Sequence, residues 1–448
     1  MDTQLAYSVP EAVKSVQGDP LQQLAPRPRT LDDTGLSRNF LAELIAKHLY
    51  SAGVLTLRQL SGRIALAGPV LEDLILFLRG EAYVEVRSAI EDSGLRYALT
   101  DRGRSLALDA LYKSGYVGRA PVPLAEYNRI VKAQTMHQRV VSRERMESVF
   151  GNMVLHGGLL EQLGPAMHSG RPVFVYGPAG AGKTYVASRL ANLFDDSILV
   201  PHAIAVGETV IQFFDPVYHK RVDDSADPEH MMLDTGHDPR YLHCYRPMVM
   251  TGGELTLDML ELTYDAGTKQ YHAPLQLKAN NGVCMIDDLG RQRVQPVDLL
   301  NRWIVPMEER RDFLALGSGE HFPIPFEVVL IFSTNLDPLD LADEAFLRRL
   351  GYKIRFDYLD ENEFTAIWCQ VCEARGVEYD ADLVNSLIKH HYQTEQRPML
   401  PCHPRDLIGL ALDLARYHGK GNTFSSDELN AAWKSYFVKP VVTHLQQS

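Results

Sequence analysis

From residue 37 onward, apolar positions recur at i, i+3, i+4 and i+7 in SRNFLAELIAKHLYSAG, then in TLRQLSGRIAL and PVLEDLILFLRG. Each stretch is bounded by Gly, Thr or Pro. This is the pattern of three successive amphipathic helices. The period then shortens to two. AYVEVRSA and LRYALTD alternate apolar and polar positions on either side of the turn-rich IEDSG, and a further helical run, RGRSLALDALYKS, follows. The order predicts a small α+β module over 37–115: three helices, a β-hairpin and a closing helix. Residues 1–36 mix Pro, Gln, Asp and Gly with neither period and read as a disordered tail or linker. The stretch 116–144, with two prolines in APVP, reads as a connector.

The pattern changes again near 145. Strand-length apolar runs (RPVFVYG, SILVPHAIAV, NGVCMIDD, FEVVLIFSTN, YKIRFDY) alternate with helical stretches up to residue 356, which predicts an α/β core with a parallel sheet covered by helices. From 357 to 448 only helical patterns occur, in ENEFTAIWCQVCEARG, ADLVNSLIKHHYQ, PRDLIGLALDLARYHG and SDELNAAWKSYF, and a small helical lid is expected.

Composition narrows the picture only a little. The chain has 448 residues, 45% hydrophobic and 23% charged, enough for two or three domains with real cores. The net charge of −12 repels a phosphate backbone on average, so a protein partner is the default expectation over nucleic acid. Five cysteines without framework spacing suit a reducing compartment. The absence of an 18–20-residue apolar run or a secretory leader pattern leads to an expected cytoplasmic location with no membrane insertion.

Three motifs carry chemistry. Residues 177–184, GPAGAGKT, follow the apolar run VFVY and precede the helical run TYVASRLANLF, which is the strand-loop-helix context of a phosphate-binding loop. Gly177, Gly180 and Gly182, with Pro178, Ala179 and Ala181 between them, let backbone N–H groups close around phosphate oxygens at a helix N-terminus. Lys183 would neutralise the β and γ phosphates of ATP, and Thr184 would offer its hydroxyl to Mg²⁺. About a hundred residues on, VCMIDD ends a strand in two carboxylates. Asp287 is the candidate Mg²⁺ ligand through water. Asp288 stands where related ATPases place the Glu that polarises the attacking water, one methylene shorter. FSTN then ends a strand with Asn335, placed to hydrogen-bond the γ-phosphate or the lytic water.

In this order, GPAGAGKT, VCMIDD, FSTN, DEAFLRRLGYKI and HPRDLIGLALDLA resemble the motifs of AAA+ ATPases across roughly 145–440. The resemblance implies a ring, a hexamer by family habit, in which Arg348 or Arg349 reaches a neighbouring subunit's ATP and Arg405 acts from the lid. A planar, always-charged guanidinium suits phosphate oxygens, and pairing of these arginines with Asp343 or Glu344 is the alternative. VMTGGELTLDML, LELTYDAGTKQYHAPLQL and LLNRWIVPMEERRDFLALGSGEHFPIPFEVVLIFSTN look most like the MoxR-like, helix-2-insert group, which implies chaperone-like work on a protein client. Residues 37–115, YALTDRGRSLALDAL above all, resemble a winged-helix domain.

The remaining constellations read as structural. His219, His230, His237 and His243 fall in a stretch, 219–243, whose spacing matches no metal-ligand motif, and a mobile surface loop is expected. Cys369 and Cys372 form a lone CxxC that a helix would turn to its core. The third helix of the front module carries Glu72 and Asp73 against Arg79, and the module holds ten basic and nine acidic residues, so protein docking is expected of it in preference to DNA reading. The sequence therefore predicts an oligomeric ATP-hydrolysing motor that remodels a partner recruited by the front module. An ATP-controlled DNA-binding regulator and a nucleotide switch with little turnover are the alternatives.

Overall fold

A computed structural model of the chain describes residues 20–87, 94–137, 141–222 and 236–437. Residues 1–19 of the expected tail, most of the predicted hairpin turn, His230 and residues 438–448 lie outside the described residues.

The centre of the molecule is a five-stranded, wholly parallel sheet. Its strands, in chain order, are β1 (Val173–Tyr176), β2 (Met248–Thr251), β3 (Val283–Ile286), β4 (Val329–Thr334) and β5 (Tyr352–Arg355). They lie side by side as β2-β3-β4-β1-β5, with Cys284 opposite Leu330, Phe332 opposite Phe174 and Ile354 opposite Val175. All residues of β3 and β4 are buried, as continuous apolar runs require when both faces of a parallel sheet are covered. The C-terminal ends of β1, β3 and β4 therefore converge at one sheet edge, and these are the ends that carry GPAGAGKT, Asp287 and Asn335.

The lid is a separate helical bundle formed by Glu361–Arg375, Ala381–Leu387, Cys402–Tyr417 and Ser426–Tyr436. Its own core is built on Phe364, Trp368, Tyr392 and Trp433, and Tyr392 meets Phe364 and Trp433 edge-on. Both end helices start with capping boxes, Asp360 with Glu363 and Ser425 with Glu428, which satisfy N–H groups that a helix start otherwise leaves without partners. An α/β core with a parallel sheet and a C-terminal helical lid is the fold class expected from the hydrophobic pattern.

The front module contains helices Arg38–Ala52, Leu57–Ile64 and Gly68–Gly80, strands Val84–Arg87 and Arg96–Leu99, and the helix Asp101–Lys113. A short strand, Val54–Thr56, which periodicity does not reveal, completes a three-stranded antiparallel sheet. Leu41, Ile45, Leu60, Leu71, Leu74 and Leu78 fill its core.

Three expectations are corrected. Residues 20–36 are not a disordered tail: Pro20–Leu24 is helical, Ala25 and Thr34 are buried, and the Leu24 carbonyl accepts from Arg129 Nη2 at 2.6 Å. The connector 116–144 carries a strand, Val122–Pro123, and a helix, Leu124–Ala133, with Tyr127 and Ile130 buried. SILVPHAIAV, read as one strand of the parallel sheet, divides at His202. Ser197–Pro201 pairs antiparallel with Tyr241–Tyr245, and Ala203–Val206 pairs antiparallel with Thr209–Gln212 and parallel with Val122–Pro123.

The last pairing belongs to a second five-stranded sheet, mixed in direction, whose other members are the hairpin strands Thr263–Asp265 and Gln270–His272. It has its own apolar core of Tyr127, Ile204, Ile211, Phe213 and Leu242, shared with the hairpin Arg311–Ala315/His321–Pro325. Two buried arginines join the parts. Arg240 chelates Asp238 through Nε and Nη2 and donates from Nη1 to the carbonyls of Thr34 and Pro121. Arg246 grips both oxygens of Asp196 at 2.6 Å and donates to the carbonyls of Gln134 and Asn281. Each guanidinium is thus satisfied in full view of its burial cost.

Candidate nucleotide site

Gly177, Gly180 and Gly182 all have φ in the left-handed region, at 139°, 84° and 85°. A Cβ on Gly177 would strike the Phe356 carbonyl, and one on Gly180 would strike Cys402 Sγ on the lid. Glycine is therefore required by backbone conformation and by space at both positions. Gly182 caps the helix Lys183–Leu190, so the loop ends with its N–H groups at the positive end of a helix dipole.

Lys183 is buried to 6% exposure. Its ammonium donates to the carbonyls of Gly177 and Pro178 at 2.8 and 2.9 Å and to Asn335 Oδ1 at 2.6 Å. Burial holds its pKa below the ordinary value, and the charges of Asp287 and Asp288 act against that shift. Thr184 donates its hydroxyl to Asp287 Oδ2 at 2.6 Å. Asn335 spans the gap between the two halves of the site: its oxygen accepts from Lys183 and its amide donates to Asp288 Oδ1 at 3.2 Å.

Asp288 stands at φ 49°, a strained backbone for a non-glycine residue. The strain is held by the next residue: Leu289 donates its N–H to the Ser333 carbonyl at 2.8 Å, and its own carbonyl accepts from Thr334 Oγ1 at 2.8 Å. Gln292 adds a clamp, donating to the carbonyls of Asp287 and Gly252 and accepting from the Gly290 N–H. The turn that aims Asp288 is thus tied to three strands' ends.

These groups line a cleft of about 870 Å³ between the sheet edge and the lid, within the range of nucleotide-sized sites. The cleft brings together Ala179–Thr184, Asp287, Asp288, Asn335 and Arg405. Arg405 is exposed and donates from Nε to Asp406 at 2.9 Å. Arg348 and Arg349 do not enter the cleft. Arg349 pairs with Glu308 at 2.5 Å and donates to the Ala345 carbonyl, so its in-chain carboxylate is Glu308, and neither Asp343 nor Glu344, the partners of the alternative reading, takes that place. Those two acidic residues instead open the short helix Glu344–Leu347, where Asp343 caps Phe346 N–H. Arg348 is exposed.

Pattern reading missed Arg355, Arg375, Gln370 and His156, which also line the cleft. Arg375 lies in the last turn of its helix before the Gly376 cap, where a basic residue is the ordinary complement of the helix dipole, so nothing in the sequence set it apart. His156 reaches the lid through Glu363 at 3.0 Å, a contact across 207 positions.

The histidine stretch is corrected in its described part. His219 is buried, stacks on Phe213 and Phe214, and bonds the Lys278 carbonyl at 2.9 Å. His237 is buried and His243 sits on the strand Tyr241–Tyr245 beside Ser197. Among the described residues no group of three or more His, Cys, Asp or Glu gathers as a metal site. Cys372 faces the lid core and Cys369 is exposed. Among the described residues no helix is long and apolar enough to cross a membrane.

The lid alone, residues 360–435, matches a family model described as a domain of unknown function, DUF8689. No protein of curated function matches the sequence. Similar solved structures include NtrX from Brucella abortus in complex with ADP, at 13% identity and a TM-score of 0.38, covering 77% of this chain and 63% of that one. The RuvB Holliday junction branch migration motor of Thermotoga maritima is similar at 14% identity and a TM-score of 0.35, covering 66% of this chain and 70% of that one. The chain thus spans less than two thirds of the NtrX chain.

Proposed function

We propose that this chain is an AAA+ ATPase that binds Mg·ATP in the cleft between the parallel sheet and the lid and hydrolyses it to ADP and phosphate. The observation that carries the proposal is the convergence of Lys183, Thr184, Asp287, Asp288, Asn335 and Arg405, which lie on four separate segments, around the glycine loop. The loop suits a phosphate group on its own geometry, because its left-handed glycines Gly177, Gly180 and Gly182 lead into the N-terminus of the helix Lys183–Leu190. Thr184 and Asp287 form an oxygen pair suited to Mg²⁺, a hard cation that clamps phosphate oxygens.

In this reading Lys183 supplies fixed positive charge to the terminal phosphates, and Asn335 orients the water or γ-phosphate. Asp288 takes the proton of the attacking water, and Arg405 steadies the phosphates from the lid. Catalysis is then positioning and electrostatic stabilisation. Arg348 is the better trans finger, because it is exposed whereas Arg349 is held by Glu308 within its own chain. The site is completed by a second copy, in a homo-hexamer of the MoxR-like kind.

The winged-helix-like module would recruit a protein client for chaperone-like remodelling. Its third helix exposes Glu72, Asp73 and Leu76, an acidic and apolar face unsuited to a phosphate backbone. The short Asp288 side chain favours one second reading, a nucleotide switch with little turnover.

The test is steady-state ATP turnover per chain against protein concentration, with Lys183→Ala and Arg348→Ala beside the wild type. Turnover that rises with concentration and is lost in both variants supports the ring motor. Tight ATP binding with turnover at the Lys183→Ala level in the assembled protein supports the switch.

A further inference from the structure

Away from the nucleotide cleft, a cavity of about 450 Å³ opens at the seam between the front module and the second sheet. The module contributes His48 and Arg63, the strap 116–119 contributes Arg119, and the sheet side contributes His202, Gln212 and Gln270. No carboxylate lines it among the described residues, although the chain as a whole is acidic.

The strap is built to hold its place. His48 Nε2 bonds the Gly118 carbonyl at 2.8 Å, Tyr116 donates its hydroxyl to the Arg119 carbonyl at 2.8 Å, and Ala120 N–H reaches the Ile64 carbonyl at 2.7 Å. Because Nε2 of His48 faces a carbonyl, it carries the proton, and Nδ1 is left buried without a partner. His202 Nε2 is likewise buried without a partner.

Burial, reinforced by neighbouring positive charge, holds these groups below their ordinary pKa values. Arg63 and Lys47 add to the effect at His48, and Arg119 and Arg221 add to it at His202. Arg119 is held down to about 10 by burial and by Arg221. Cationic groups gathered and desolvated together without a carboxylate in the lining are stabilised by an anion placed among them.

We propose that this seam cavity is a binding site for a small phosphate-bearing anion, which would tie the front module to the core through Arg63 and His48 on one side and Arg119 and His202 on the other. A phosphate group concentrates close to two negative charges and several acceptor oxygens in one place. That matches the two guanidinium donors better than a single carboxylate does, and the anion's charge lets the unpartnered imidazole nitrogens of His48 and His202 take up protons and donate to it.

The test is calorimetric titration of inorganic pyrophosphate into the full chain carrying Lys183→Ala, which suppresses the phosphate loop's contribution, against a blank of matched ionic strength. One site per chain is expected. Arg63→Gln, at an exposed residue, should weaken it about tenfold, the loss of one charge-assisted contact. Arg119→Gln should weaken it at least as much, with circular dichroism reporting on its fold because Arg119 also holds the Pro239 carbonyl. Acetate at equal concentration should not compete. The proposal is overturned by no binding above the blank, by unchanged affinity in Arg63→Gln, or by acetate competing as well as phosphate does.

Discussion

The molecule's two five-stranded sheets use their polar groups in opposite ways. At the edge of the parallel sheet the polar side chains face one another across a cleft: Lys183, Asn335 and Asp288 form one chain of contacts, and Thr184 with Asp287 forms another. In the mixed sheet region the strongest polar groups point inward and act as rivets, as Arg240 does toward Asp238, Thr34 and Pro121. Charges arranged around a cleft are available to a ligand, whereas charges buried in a joint fix the parts to each other. Burial with full satisfaction marks architecture, and burial beside a cavity marks chemistry.

The largest expected effect lies at Arg240. Arg240→Ala leaves Asp238 buried and unpaired, and the unfolding free energy should fall by about 3–5 kcal/mol, read by urea denaturation. If the loss is below about 1 kcal/mol, the rivet is not structural. On the cleft side, Lys183→Ala should lower ATP turnover about 10²–10³-fold, the scale of losing one preorganised electrostatic contact, while leaving the urea midpoint close to wild type. A matching loss of stability would make Lys183 a rivet too. In the front module, outside both regions, Thr56→Ala removes the capping box with Gln59 that starts the module's second helix. It should cost about 1 kcal/mol without altering turnover at saturating ATP.

The smallest effect is pH-dependent. Hydrogen bonding to Glu363 raises the pKa of His156 above its ordinary 6.5. The tie between the cleft loop and the lid is therefore fully present below about pH 6.5 and is lost as pH rises through the higher folded value. Because the pair is partly exposed, its contribution should stay below about 1 kcal/mol. An NMR titration of His156 should show the raised midpoint, and Glu363→Gln should return it toward 6.5. No change in that variant would sink the assignment.

The cleft was largely legible because its motifs are local. GPAGAGKT, IDD and FSTN each sit at the C-terminal end of a buried apolar strand, and a parallel sheet brings such ends to one edge. Arg375 was not legible because the last turn of its helix already accounts for a basic residue there, and His156 was not because its tie to Glu363 spans 207 positions. The mixed sheet was not legible either. Its strands come from Val122–Pro123, Ala203–Gln212 and Thr263–His272, and two to four residues at a time carry too little period to announce a sheet.

By itself the sequence determined the glycine loop, the order of the chemical motifs, the parallel core and the helical lid, because strand and helix periods and left-handed glycine turns are written in neighbouring residues. Only the tertiary structure decided that the connector supplies a strand to a second sheet and residues 20–36 pack beside it, that Arg349 is held while Arg348 is exposed, and that His48 and His202 share a cavity with two arginines. Those outcomes depend on which distant segments meet, and the free energy that selects them comes from long-range burial and from satisfying buried charge, which no local pattern records.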